Sequence, residues 1–162
     1  PHRCRVEKSI ALESASGGRL QIRYDLSNLP PGERFHFAVE FNFAGLAAGA
    51  SDRYYYDGGG RKLGQLESVL ALSQMDRIGL IDEWLGVDIS LEPSVPTDVW
   101  TFPIQTVSQS EGGFELVHQS SAVVPHWEFI SPTDGRFSVS LTLTTDTSAA
   151  QARELTKAAA AV

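Results

Sequence analysis

Cys4 is the only cysteine in this chain of 162 residues, so no disulfide within the chain and no cysteine-built zinc site is available to it. The lack of bridges leans towards a reducing compartment, and a cytoplasmic location is expected. Basic residues are scarce as well. Thirteen Lys and Arg against 20 Asp and Glu leave a formal net charge of -7, and no Lys/Arg cluster exceeds two neighbours. A phosphate backbone needs a dense basic surface, so nucleic-acid binding is not expected. No apolar run approaches the roughly 20 residues of a membrane-spanning helix, and no basic-then-apolar opening resembles a signal peptide. Methionine occurs once, at Met75, and the chain opens on Pro1, which reads as an excerpt from a longer chain.

Metal and phosphate chemistry find little support. The histidines are His2, His36, His118 and His126, and no two have the helical spacing of zinc proteases. No loop carries the oxygen-ligand spacing of a calcium site. The Gly58-Gly59-Gly60-Arg61-Lys62-Leu63-Gly64 stretch lacks the Gly-Lys-Ser/Thr ending of a phosphate loop and reads as a hairpin turn. No Gly-x-Ser-x-Gly elbow is present, so a triad of His118, Ser120 and Glu111 has nothing to recommend it beyond composition. No cofactor or metal is expected.

What the chain does have is alternation. From Phe35 to Phe43, Phe35, Phe37, Val39, Phe41 and Phe43 fall on one side of an extended strand, and His36, Ala38, Glu40 and Asn42 on the other. A helix would scatter those aromatics around its circumference. Arg5–Glu13, Arg19–Leu26, Ile78–Ile81, Val87–Leu91, Val99–Val107, Phe114–Val124 and Phe137–Thr145 read as further strands, the first two expected to form a meander with the Phe-rich one. About ten strands with turn signals between them predict an all-β fold, an antiparallel two-sheet β-sandwich. It should span residues 1–146, with alanine-rich residues 147–162 forming a short terminal helix or linker capped by Thr147 or Ser148.

Side-chain types suggest what such a sandwich could hold. Sugars are gripped by flat aromatic surfaces and by amides or carboxylates that bond paired hydroxyls. Glu40 and Asn42 sit two apart on the polar side of the Phe-rich strand, although a salt bridge from Glu40 to Arg23 is an equally good reading. Trp84, Trp127, Tyr54, Gln109 and Glu111 are suitable types, whereas Trp100 is expected in the core between the sheets. Asp57 and Asp88 read as solvated loop and edge carboxylates.

Several blocks then recur in order: Glu40-Phe-Asn-Phe43, Asp52-Arg-Tyr-Tyr55, Ile81-Asp-Glu-Trp-Leu85, Trp100 to Phe114, and Pro125-His126-Trp127. Over residues 5 to 146 the chain resembles the C-terminal domain of family-57 glycoside hydrolases, the prokaryotic α-amylase/4-α-glucanotransferase group. The resemblance implies a galactose-mutarotase-like sandwich and α-1,4-glucan chemistry in the parent protein. It also implies that catalytic carboxylates lie in an N-terminal barrel that this chain does not contain, so no catalytic residue is carried over. The expected role is a non-catalytic module that binds α-glucan or maltooligosaccharide, or shapes the barrel's cleft. Glu40, Asn42, Gln109 and Glu111 would hydrogen-bond, Trp84 or Trp127 would stack, and Arg53 would orient the carboxylates. Two alternatives stay open. One is a purely structural domain docked on the barrel. The other is a free-standing epimerase of the mutarotase kind using His36 or His118 with Glu40 or Glu111.

Overall fold

The alternating segments pair into two antiparallel sheets in the computed structural model, which describes residues 2–13, 18–110 and 112–152. Seven strands form the larger sheet, in the order β1 (Arg5–Glu13), β2 (Arg19–Ser27), β12 (Phe137–Asp146), β9 (Val87–Pro93), β8 (Ile78–Asp82), β5 (Arg53–Asp57) and β6 (Lys62–Gln65). The smaller sheet runs β3 (Arg34–Ala38), β11 (Gly113–Ile130), β10 (Thr97–Ser110) and β7 (Leu70–Met75), with β4 (Phe41–Ala44) also paired to β11. The sandwich expected from the sequence is therefore present. Among the described residues no helix is long and apolar enough to cross a membrane.

Both inner faces follow from the period of two. Ile22, Tyr24 and Leu26 of β2, with Val139 and Leu141 of β12, meet Phe37 and Trp127 at one end of the core. At the other end Tyr55, Leu80 and Leu91 meet Val99 and Val123. Each aliphatic side chain so buried contributes about 1.5–3 kcal/mol.

The expected meander fails after β2. Leu29-Pro30-Pro31-Gly32 carries the chain across to the smaller sheet, held by Leu29 N–H to the Gly135 carbonyl and Gly32 N–H to the Ser131 carbonyl. β3 pairs with β11, not with β2. The nine-residue strand expected over Phe35–Phe43 is also interrupted. β3 stops at Ala38 and β4 starts at Phe41, yet both follow β11. The reason lies opposite them. Pro125 accepts the Val39 N–H at 3.1 Å but has no N–H to return, so the ladder lapses there.

β10 and β11 outrun the sandwich. β7 pairs with β10 only over Thr97–Thr101, and β4 with β11 only over Ser120–Val123, so beyond the bulge at Ile104/Gln105 the two strands pair with each other alone among the described residues. The result is a projecting two-stranded arm. At the other end of the chain, Gln151 N–H donates to the Thr147 carbonyl and begins a short helix, residues 148–152, as the Thr147 cap predicts. The rest of the alanine-rich tail, like Glu111, lies outside the described residues.

Candidate functional site

The outer face of the smaller sheet collects the polar half of the Phe-rich strand. With the Phe side chains turned into the core, His36, Ala38, Asn42 and Ala44 stand outward beside Glu128, His126, Ala122 and Ser120 of β11. On the far side of β11, Asp98, Trp100 and Phe102 of β10 lie level with His126, Val124 and Ala122. Phe41 is level with Val123 and Val39 with Pro125, so Glu40 is level with Val124. A row across the sheet thus reads Glu40, Val124, Trp100, with the outer two separated by two strand spacings, about 10 Å. The next row reads Asn42, Ala122, Phe102. Val124 and Ala122 are themselves buried, so the face presents to solvent the two walls that flank them.

The two walls differ in chemistry. Asn42 Nδ2 donates to Glu40 Oε1 at 2.9 Å, so amide and carboxylate hold one another in place. Opposite, the Trp100 indole is 42 % exposed and lies on the His126 imidazole, with centroids 4.0 Å apart and planes 34° from parallel. His126 Nδ1 in turn meets His36 Nε2 at 3.1 Å. Burial holds the His126 pKa below its ordinary value, and the like charge of His36 lowers it further.

The residues expected to form one ligand-facing cluster divide among four places. Glu40 and Asn42 are together on this outer face. Arg53 and Trp84 are together at the end of the larger sheet, with the guanidinium carbon 5.9 Å from the indole centroid. There Arg53 bonds Asp82 at 2.9 Å and Asp52 at 3.1 Å, not the carboxylate of Glu40. Gln109 is on the arm, paired with Phe114, and Glu111 lies outside the described residues. Trp127 is inside the core at 7 % exposure, stacked on Phe37. The expected Glu40–Arg23 bridge is also absent, because Arg23 is on β2 of the other sheet and forks onto Asp25.

Trp100 and Trp127 therefore exchange their expected places. The register supplies the signal that sequence reasoning missed. Trp100 shares its side of β10 with Asp98, while Trp127 shares its side of β11 with Val123 and Pro125. His36 and His126 become neighbours only through the pairing of β3 with β11.

A second concavity, of ≈ 270 Å³, lies at the end of the larger sheet among Asp82, Glu83, Asp88 and Asp146. Beside it, Tyr54 Oη donates to Glu83 at 2.7 Å, and that bond, with some burial, pushes the phenol up to about 12. Among the described residues no three His, Cys, Asp or Glu side chains are grouped to hold a metal.

Residues 1–141 match the family described as alpha-amylase/4-alpha-glucanotransferase, C-terminal. No curated protein matches the chain. Among solved structures, the crystal structure of the 4-alpha-glucanotransferase from Thermococcus litoralis is similar, with a TM-score of 0.61 and 20 % identity over 87 % of this chain. The match spans 18 % of that protein's own length.

Proposed function

Because the chain belongs to the family of α-amylase/4-α-glucanotransferase C-terminal domains, we propose that it is a non-catalytic module of a glucan-acting enzyme of the family-57 type, and that it binds α-glucan on the outer face of the smaller sheet. The observation that carries this reading is the row Glu40, Val124, Trp100. A flat aromatic and a carboxylate–amide pair stand about 10 Å apart on the outer face, on either side of the buried, apolar Val124. A sugar ring offers one C–H face to stack and paired hydroxyls at its rim, and this arrangement complements both. Trp100 replaces Trp127 as the stacking residue, and Glu40 with Asn42 keeps the hydrogen-bonding role. The exposed free thiol of Cys4 fits the cytoplasm.

A second reading has its own observation. Val107, Phe114 and Leu116 share one side of the projecting arm and are 67 %, 78 % and 65 % exposed. A lone two-stranded ribbon is marginal in water, so its apolar side is suited to pack on the rest of a longer enzyme, as a docking domain would.

Calorimetric titration with maltoheptaose, and with cellohexaose as the β-linked control, tests the first reading. Saturable binding of the α-glucan alone, lost in Trp100→Ala and weakened in Glu40→Gln, is expected. Silence with both sugars from folded protein would transfer the role to docking.

A further inference from the structure

Next to the Glu40–Trp100 row, one step along the strands, lies a cavity of ≈ 280 Å³ bordered by Gln74, Thr97, Asp98, His126, Trp127 and Glu128. We propose that this cavity is a subsite for a single terminal sugar residue of an α-glucan lying on the sheet face; the inference rests on the glucan-binding reading.

His126 is the residue that points to a ligand. It is 7 % exposed, its Nδ1 is engaged by His36, its ring is covered by Trp100, and its Nε2 is buried without a partner among the described residues. A buried polar atom of this kind calls for one, and a hydroxyl serves an imidazole nitrogen whether it carries the proton or not. The bond to His36 fixes the ring, so Nε2 is held in place before anything arrives. The other groups around the cavity set the class of ligand. Asp98, level with His126 on β10, accepts the Gln74 N–H on one oxygen at 3.0 Å. Glu128 is level with His36 on β11. Two carboxylates repel anions and accept from hydroxyls, and burial disfavours a compensating cation on His126. The volume is just below the roughly 300 Å³ at which pockets for drug-sized ligands begin, so it suits one ring and not a chain. A glucan stacked on Trp100 would run along the strands and end here.

Two measurements separate the inference from the reading beneath it. In an NMR titration with maltoheptaose, the His126 imidazole nitrogens should shift saturably, with the same Kd as calorimetry gives. Asp98→Asn and His126→Gln should each weaken binding by about tenfold, which corresponds to 1.4 kcal/mol. If maltoheptaose binds, Trp100→Ala abolishes it, and yet the His126 signals stay fixed and both variants remain within twofold of the parent, the subsite is wrong and the sheet-face reading stands. Absence of saturable binding by the unmodified chain overturns both.

Discussion

The ring of Tyr56 on β5 packs against Gly79, its cross-strand partner on β8, so closely that a Cβ on residue 79 would fall 2.0 Å from the ring carbon bearing the hydroxyl. The bare glycine lets the phenol reach Asp88, whose carboxylate accepts its hydrogen at 2.5 Å. Gly79→Ala should therefore cost about 1–3 kcal/mol, the usual range for overpacking, through displacement of Tyr56. A urea midpoint unchanged by the substitution would mean the ring has room to move.

Arg53 and Asp82 are cross-strand partners at the very end of the same pair of strands, with Asp82 at 1 % exposure. Asp82 also accepts the Leu85 N–H at 2.8 Å, so its carboxylate organises the turn after β8. Removing one partner of a buried pair leaves the other uncompensated, and Asp82→Ala or Arg53→Ala should each lower stability by about 3–5 kcal/mol. The double variant should cost less than the two singles added together, because neither charge is then stranded. Glucan affinity, measured where both proteins are folded, should not change, since this pair is on the sheet away from Trp100.

Trp127→Ala and Trp100→Ala should part company. The first empties a site between the sheets and should cost about 3–5 kcal/mol. The second removes a half-exposed ring from the outer face and should shift the denaturation midpoint by less than half as much. Equal losses for both would place Trp100 among the core residues after all.

How much of this was legible in the sequence follows from what a period of two can and cannot encode. The Phe35–Phe43 alternation correctly separates a core side from a polar side, and the Glu40–Asn42 pair follows directly from it. Alternation does not say which sheet a strand joins, so the crossing at Pro30-Pro31 and the pairing of β3 with β11 had to come from the fold. It also fails where both faces of a strand are covered. Ser120 to Trp127 of β11 are all buried, and in such a strand neither side looks wet. Trp127 was therefore free to be read as a ligand residue. Phe102 and Ile104 lie on the same side of β10 as Trp100, so that side looked like core. The break at Val39-Glu40 depends on Pro125, far away in sequence on the neighbouring strand, which local pattern cannot reveal.

His126 gives stability a pH dependence whose sign can be worked out. Its pKa in the folded chain is below the ordinary 6.5, first because burial penalises the cation and then because His36 repels it, while Asp98 and Glu128 act the other way. These three, His36 from β3, Asp98 from β10 and Glu128 beside it on β11, are the titratable groups around it. Between the folded pKa and 6.5 the unfolded chain binds the proton more readily, so stability rises with pH across that window. It should be complete above 6.5 and decline as the pH falls from there through the folded-state pKa. Asp25, Asp57 and Asp146 are lowered from 3.8 by their hydrogen bonds and act only at more acid pH. Urea midpoints at pH 7.5 and 5.5 should differ in the parent and converge in His126→Gln. An undiminished difference in the variant would assign the slope to another group.

β1 is the last strand of the larger sheet, and the smaller sheet does not extend over it. Val6, Ile10 and Leu12 stand level with the core residues Leu26 and Ile22 and with Leu20, yet they are 56 %, 59 % and 69 % exposed. An unpaired edge with an apolar side is a template for another chain, and the arm presents a second such surface. The isolated chain should therefore associate as its concentration rises, by sheet extension along β1. Ile10→Lys puts a charge in the middle of that edge, and because the side chain is already exposed it should alter stability by no more than about 0.5 kcal/mol. Sedimentation velocity over a hundredfold concentration range should show the weight-average coefficient rising for the parent and flat for the variant. If instead Ile10→Lys associates like the parent while Phe114→Ser with Leu116→Ser does not, self-association runs through the arm, and the β1 edge is covered by its own charged neighbours Glu7 and Lys8.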